Sequence, residues 1–163
     1  MKGTNRFKRN WKKRLRIFFL TGMLGLAACN RGVILNKTCH APQGAWSYKD
    51  PIVFECYVED TTIEYDAIFS IKHRDDYRWS NAFFLITTVF PDMETRVDTL
   101  ECLLANRSGK WIGHRYGKYH GIRFLYKQGI RFPQNGEYRF EVRHAMREDL
   151  YEILTVGMKI SPH

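Results

Sequence analysis

The sequence has no apolar run long enough to cross a bilayer, no acid among its first 28 residues and no sustained helical stripe. It also lacks paired Cys or His at metal-ligand spacing. The apolar stretch Ile17–Ala28 has twelve residues. As a helix, at ~1.5 Å per residue, it spans roughly 18 Å against a ~30 Å hydrocarbon core, so a permanent transmembrane helix is not expected. A zinc site needs ligands paired at short spacing. Cys39-His40 resembles no such pattern, and neither metal nor cofactor is expected. No nucleophile-elbow sequence surrounds Ser108, so its nearness to His114 and Asp98 does not make a triad. Glu141, Glu148, Asp149 and Glu152 each lie close to an Arg, which reads as solvated surface charge rather than a glycosidase pair. No enzyme is expected.

The net charge of +9 suggests a nucleic-acid partner until the charges are located. Eight of the 26 Lys and Arg and none of the 17 acids fall in residues 1–28, so the rest of the chain carries only +1. A near-neutral body has no general attraction for a polyanion, and no nucleic acid is expected. The cationic stretch to Arg16, the apolar stretch after it and a small-residue zone form the three parts of an export signal. That zone reads Leu26-Ala27-Ala28-Cys29, the bacterial lipobox pattern. Its Cys takes a diacylglyceryl group, and two or three acyl chains anchor a protein stably. Asn30-Arg31 follows, with neither the Asp that retains lipoproteins in the inner membrane nor a surface-directing acidic run. The expected address is the outer membrane, facing the periplasm.

Cleavage before Cys29 leaves 135 residues, enough for one domain with a real core. The chain divides into a signal peptide (1–28), a lipidated Cys and tether (29–45) and a folded domain (46–163). From Trp46 the hydrophobic pattern has period two. Ile52, Phe54, Cys56 and Val58 share one face, as do Tyr65, Ala67, Phe69 and Ile71. Tyr138, Phe140, Val142, His144 and Met146 alternate with Arg139, Glu141 and Arg143, and Leu154, Val156, Met158 and Ile160 close the chain. Residues 82–90 are apolar on both faces, as in a central strand covered on two sides. Arg74-Asp75-Asp76, Pro91-Asp92, Ser108-Gly109 and Pro133–Gly136 read as turns. About seven strands with alternating faces predict an all-β fold, a single antiparallel β-sandwich of jelly-roll or Ig-like kind.

With Cys29 assigned to lipid, Cys39, Cys56 and Cys102 remain. The last two point to apolar strand faces, and spacing leaves both buried free thiols and a disulfide open. His144 falls on an inward face as a core histidine. One stretch stands out. Gly109–Gly121 interleaves four glycines with aromatics and cations, a composition suited to close backbone approach and aromatic contact. Trp111, His114, Tyr116 and Tyr119 are its candidate contact residues, the alternative being a long hairpin whose Trp111 tucks onto the core.

Several blocks recur in a known order: Tyr65-Asp66-Ala67, Tyr77-x-x-Ser80-Asn81, Asp98-Thr99-Leu100-Glu101-Cys102-x-Leu104-Ala105 and Gly109-Lys-Trp-Ile-Gly113. Phe132-Pro133-x-x-Gly136-x-Tyr138-x-Phe140, Ala145-Met146-Arg147 and Val156-Gly157-Met158 follow. Behind a lipobox, this order resembles the gliding-motility lipoprotein GldH family of the Bacteroidetes, from about Trp46 to Ile160. The chain departs from the family pattern at Gly117-Lys118, where Gly-Asp is expected, and at His144, where Gln is expected. The resemblance implies a non-enzymatic envelope lipoprotein working with the gliding and type IX secretion machinery. Its partners would be the membrane, through its lipid, and envelope proteins. Only Cys29 carries over as a functional residue. Asp60-Thr-Thr and Asp98-Thr-Leu fit the O-glycosylation pattern of these bacteria, which would modify Thr61 or Thr99. The alternative function is a glycan- or peptidoglycan-binding lipoprotein that stacks sugars on Trp111, Tyr116 and Tyr119.

Overall fold

The computed structural model describes residues 32–163 apart from Gln43, so the signal peptide and Cys29 lie outside the described residues. The described chain is all β: β1 (Leu35–His40), β2 (Ile52–Val58), β3 (Tyr65–Arg74), β4 (Asn81–Val89), β5 (Thr95–Leu103), β6 (His114–Tyr116), β7 (Tyr119–Ile130), β8 (Gly136–His144) and β9 (Ile153–Pro162). A five-stranded sheet, ordered β1-β9-β3-β7-β6, packs against a four-stranded sheet, ordered β2-β8-β4-β5, and every pairing is antiparallel. The sandwich is the one expected, with nine strands rather than about seven. The residues from Ala145 to Ile153 form no helix.

The additional strands are short or lie at edges. β6 has three residues, all exposed. β1 buries only Leu35 fully, so its sequence shows no alternation. It nevertheless pairs with β9 through six successive residues, from Leu35↔Ile160 to His40↔Thr155. The expected tether at 29–45 is therefore corrected: Leu35–His40 is a strand of the sandwich. Hydrogen bonding along a full edge outweighs weak hydrophobic patterning there.

The alternating faces lie where the period-two pattern puts them except at Leu154, which is half-buried while Ile153 turns inward, because the β3–β9 register shifts between Lys72 and His73. Phe54, Val58, Phe69, Phe84, Ile86, Tyr138, Val142 and Ile160 form the interior with Trp46, which is wholly buried. Phe69 on β3 meets Phe84 on β4 with ring centroids 5.1 Å apart, and Trp46 stacks on Phe84 at 5.9 Å, so these rings join the two sheets. Trp46 Nε1 donates to the Asp50 carbonyl (2.7 Å), which satisfies its one polar atom. At the side where β5 faces β7, Asp98 accepts from Tyr126 Oη (2.8 Å) and pairs with Lys127 Nζ (2.7 Å), clasping one sheet to the other. Burial pushes the Asp98 carboxyl up, but the hydrogen bonds from Lys127 and Tyr126 outweigh it and hold it below its usual range.

Two further expectations change. β4 is covered on one face only: Phe83, Leu85 and Thr87 are half-buried on the outer side, since among the described residues no further layer packs there. Cys39, Cys56 and Cys102 are free thiols, which corrects the disulfide alternative. Cys56 on β2 and Cys102 on β5 are separated by β8 and β4 in one sheet. At ~4.8 Å between strands that is about 14 Å, far beyond the ~7 Å a disulfide can bridge. Burial raises both thiols, Cys56 to about 12, so neither is a nucleophile.

Replacing Phe84 with Ala removes the contact between sheets and Trp46, and should cost ~3–5 kcal/mol in urea unfolding. Leu125→Ala, at a side chain 56% exposed, should stay within about 0.5 kcal/mol of the parent.

Candidate contact surface

The Gly-rich stretch is a hairpin. Trp111 forms a bridge with Ala105, β6 turns through Gly117-Lys118, and β7 returns along β3. Gly117 adopts φ 62° at the tip, where a β-carbon is unfavourable. Gly113 sits at φ 89°, and a β-carbon there would lie 2.5 Å from the Gly121 carbonyl oxygen, so the hairpin closes only with glycine.

Its position is set by Asp75, in the turn after β3. The Asp75 amide donates to the Lys118 carbonyl (2.9 Å), and its carbonyl accepts from Trp111 Nε1 (3.2 Å). One carboxylate oxygen accepts from His120 Nε2 (2.5 Å), and the other receives Arg115 at 3.3 Å. All polar groups of one turn residue are thus directed at the hairpin. Beneath it lies an aromatic stack. His73 is wholly buried, with Trp111 edge-on at 4.8 Å, Tyr77 at 5.5 Å and the His120 ring nearly parallel at 5.5 Å.

Of the four candidate contact residues, His114 and Tyr116 are exposed and Tyr119 is half-buried. Trp111 is half-buried, its ring turned toward the core by the stack and the Asp75 bond. Tyr116 and Tyr119 stay together across the hairpin. Lys72 Nζ lies 5.0 Å from the Tyr119 ring centroid and 5.9 Å from that of Tyr116.

The groups weighed for catalysis do not converge. Ser108 Oγ bonds Asn106 (2.7 Å) and Asp98 is held by Tyr126 and Lys127, neither of them near enough to His114 for a hydrogen bond. Glu141 lies between Arg139 and Arg143, at 3.0 and 2.9 Å, while Glu148 and Glu152 face Arg78. Among the described residues no three His, Cys, Asp or Glu side chains are placed to share a metal ion. Thr99 is exposed and Thr61 half-buried, and the Asp60 carboxylate accepts from the Thr62 amide and hydroxyl.

With this geometry in view, residues 33–160 match the GldH lipoprotein family. The chain belongs to that family. It is 32% identical over 122 residues to a gliding motility lipoprotein GldH homolog of Christiangramia forsetii, a match covering 69% of this chain and 75% of the relative. It is 28% identical over 104 residues to gliding motility lipoprotein GldH of Flavobacterium johnsoniae, covering 64% of each. This GldH-family chain is thus a gliding-motility-associated lipoprotein of the cell envelope. The family match begins at residue 33, just before β1, and so spans the strand that sequence patterning assigned to a tether.

Two histidines of this GldH-family domain bear on its response to acid. Burial holds His73 below its ordinary 6.5, with the Arg74 carbonyl opposing and His120 and Asp75 acting in opposite senses. Burial likewise lowers His144, on the inward face as expected. Both are neutral in the fold, while the unfolded chain takes up protons as pH falls through 6.5. The unfolded state then binds more protons, so stability is full above about pH 7 and is lost as pH drops through 6.5 toward the folded values. His163, exposed and raised by Asp66, acts in the opposite sense with less effect. Urea midpoints between pH 7.5 and 5 should fall with acid, and less steeply in His73→Asn. An unchanged slope in that variant would remove His73 from the account.

Proposed function

We propose that the chain is a non-enzymatic component of the gliding machinery and its associated type IX secretion. In this reading it is anchored through Cys29 in the outer membrane, faces the periplasm and binds envelope proteins. The observation that carries the protein-binding part is the outer face of the four-stranded sheet. There Phe83 and Leu85 are half-buried, and Val97 and Leu103 on neighbouring β5 are 58% and 55% exposed. In register, Thr99 and Glu101 lie between Val97 and Leu103 and face Leu85 and Phe83, while Arg143 faces Leu85 from β8. Exposed apolar side chains interleaved with polar ones are the composition of a non-obligate protein–protein contact. Family membership supports the machine assignment, and the structural partners of Ser108, Asp98, Glu141, Glu148 and Glu152 support binding over catalysis.

The test is co-purification from detergent-solubilised membranes. The intact lipoprotein should bring down motility or type IX components. Val97→Asp with Leu103→Asp should lose them while melting within a few degrees of the parent, since both side chains face outward. Cys29→Ser should move the protein from the membrane to the soluble fraction. Partners retained by the double variant would rule out this face, and a lipidated protein purifying alone would count against the machine role.

A further inference from the structure

On the opposite side of the sandwich, the outer face of the five-stranded sheet contains a depression of about 570 Å³, within the ~300–1,000 Å³ range of small-molecule sites. A sheet face crowded with side chains has no such hollow, and two glycines, Gly113 and Gly121, form part of this lining. Gly121 and Gly157 lie on either side of β3, opposite Lys72 and Ser70 respectively. A β-carbon on Gly157 would meet Ser70 Oγ at 2.5 Å and Thr38 Oγ1 at 2.9 Å, and one on Gly121 would touch the Tyr116 ring at 3.4 Å. Hydroxyls and an aromatic ring therefore occupy the space that side chains at these positions would fill.

The lining has one sign of charge. Lys72 and Arg123 contribute cations, Thr38, Ser70 and Thr155 contribute hydroxyls, and no acid is present. Among the described residues neither Lys72 nor Arg123 forms a salt bridge. Asp66, on the same face of β3, is already bonded to the Gly129 amide and His163, and Asp75 is held by His120 and Arg115. The Tyr116 and Tyr119 rings flank the Lys72 ammonium, which restricts it to the rim.

We propose that this depression binds an anionic carbohydrate, a saccharide bearing carboxylate groups. Arg123 offers a planar fork for a carboxylate and Lys72 a point charge. The three hydroxyls both donate and accept, as sugar hydroxyls do. Tyr116, 59% exposed, offers a ring edge and face to the apolar side of a pyranose. A peptide is disfavoured on two grounds. The depression lies mainly over β3 and β9, whose backbones are paired on both sides, so no strand can be added over them, while β6 pairs β7 only from Tyr119 to Gly121. Ile71 and Ile122 in its lining are buried toward the core, leaving no socket for an apolar anchor. The site is on the face opposite the apolar strip and is independent of the protein-binding reading.

The test titrates the full-length lipoprotein in detergent micelles with trigalacturonic acid, its methyl ester, a triglutamate peptide and inorganic phosphate. Trigalacturonate should bind, and the neutral ester roughly tenfold or more weaker. Lys72→Gln and Arg123→Gln should each weaken binding by about tenfold, with unchanged melting temperature, and Tyr57→Ala on the other sheet should have no effect. Gly121→Val, which puts a side chain into the lining beside Tyr116, should abolish binding where the protein remains folded. No binding of trigalacturonate, equal binding of acid and ester, or full binding by both charge variants would overturn the assignment. Triglutamate or phosphate binding as tightly as the saccharide would also overturn it.

Discussion

The placement of the hairpin depends on Asp75. Its amide, carbonyl and both carboxylate oxygens reach Lys118, Trp111, His120 and Arg115. A hairpin whose outer strand has three residues has little adhesion of its own. The charge-assisted bond to His120 is the strongest of the four, because His120 is buried while Arg115 is largely exposed. With the hairpin fixed, Trp111 closes the stack over His73, and Tyr116 and Tyr119 turn outward beside Lys72. The buried cluster and the exposed face are two sides of one arrangement.

The two outer faces of the sandwich differ in kind. The four-stranded face has an apolar centre around Phe83 and Leu85, with Glu141 neutralised between Arg139 and Arg143. The five-stranded face is hollowed at glycines and carries unpaired cations. In the two proposals made above, each face meets a different kind of neighbour. The interior supplies the rigidity this needs, through the ring contacts of Phe69, Phe84 and Trp46 and the clasp at Asp98.

Much of the sandwich is legible in the sequence because strands half-buried in a core must alternate. β2, β3 and β8 show it directly, and β9 does from Val156 onward, beyond the register shift that turns Ile153 rather than Leu154 inward. β1 was not legible: at an edge, with only Leu35 fully buried, its strand character comes from pairing with β9 rather than from its own pattern. β4 misled in the opposite direction, since Phe83 and Leu85 look like a second buried face and are only half-buried, with no layer over them among the described residues. The network around Asp75 left no local trace, because its side-chain partners are 36 to 45 residues away along the chain. An Asp in a tight turn reads as turn chemistry and nothing more. The hollow beside Lys72 was equally hidden. Gly121 and Gly157 become neighbours of one strand only once the order β9-β3-β7 is known. The composition of Gly109–Gly121 did mark the surface, with Trp111 as the one residue that turns inward.

The most direct measurement is amide hydrogen exchange on Asp75→Ala compared with the parent. If Asp75 holds the hairpin, amides of residues 111–120 lose protection in the variant while β4, β8 and the centre of β9 keep theirs. Unchanged protection across 111–120 would contradict this, and would mean that pairing with β3 and the packing of Trp111 are sufficient to position the hairpin.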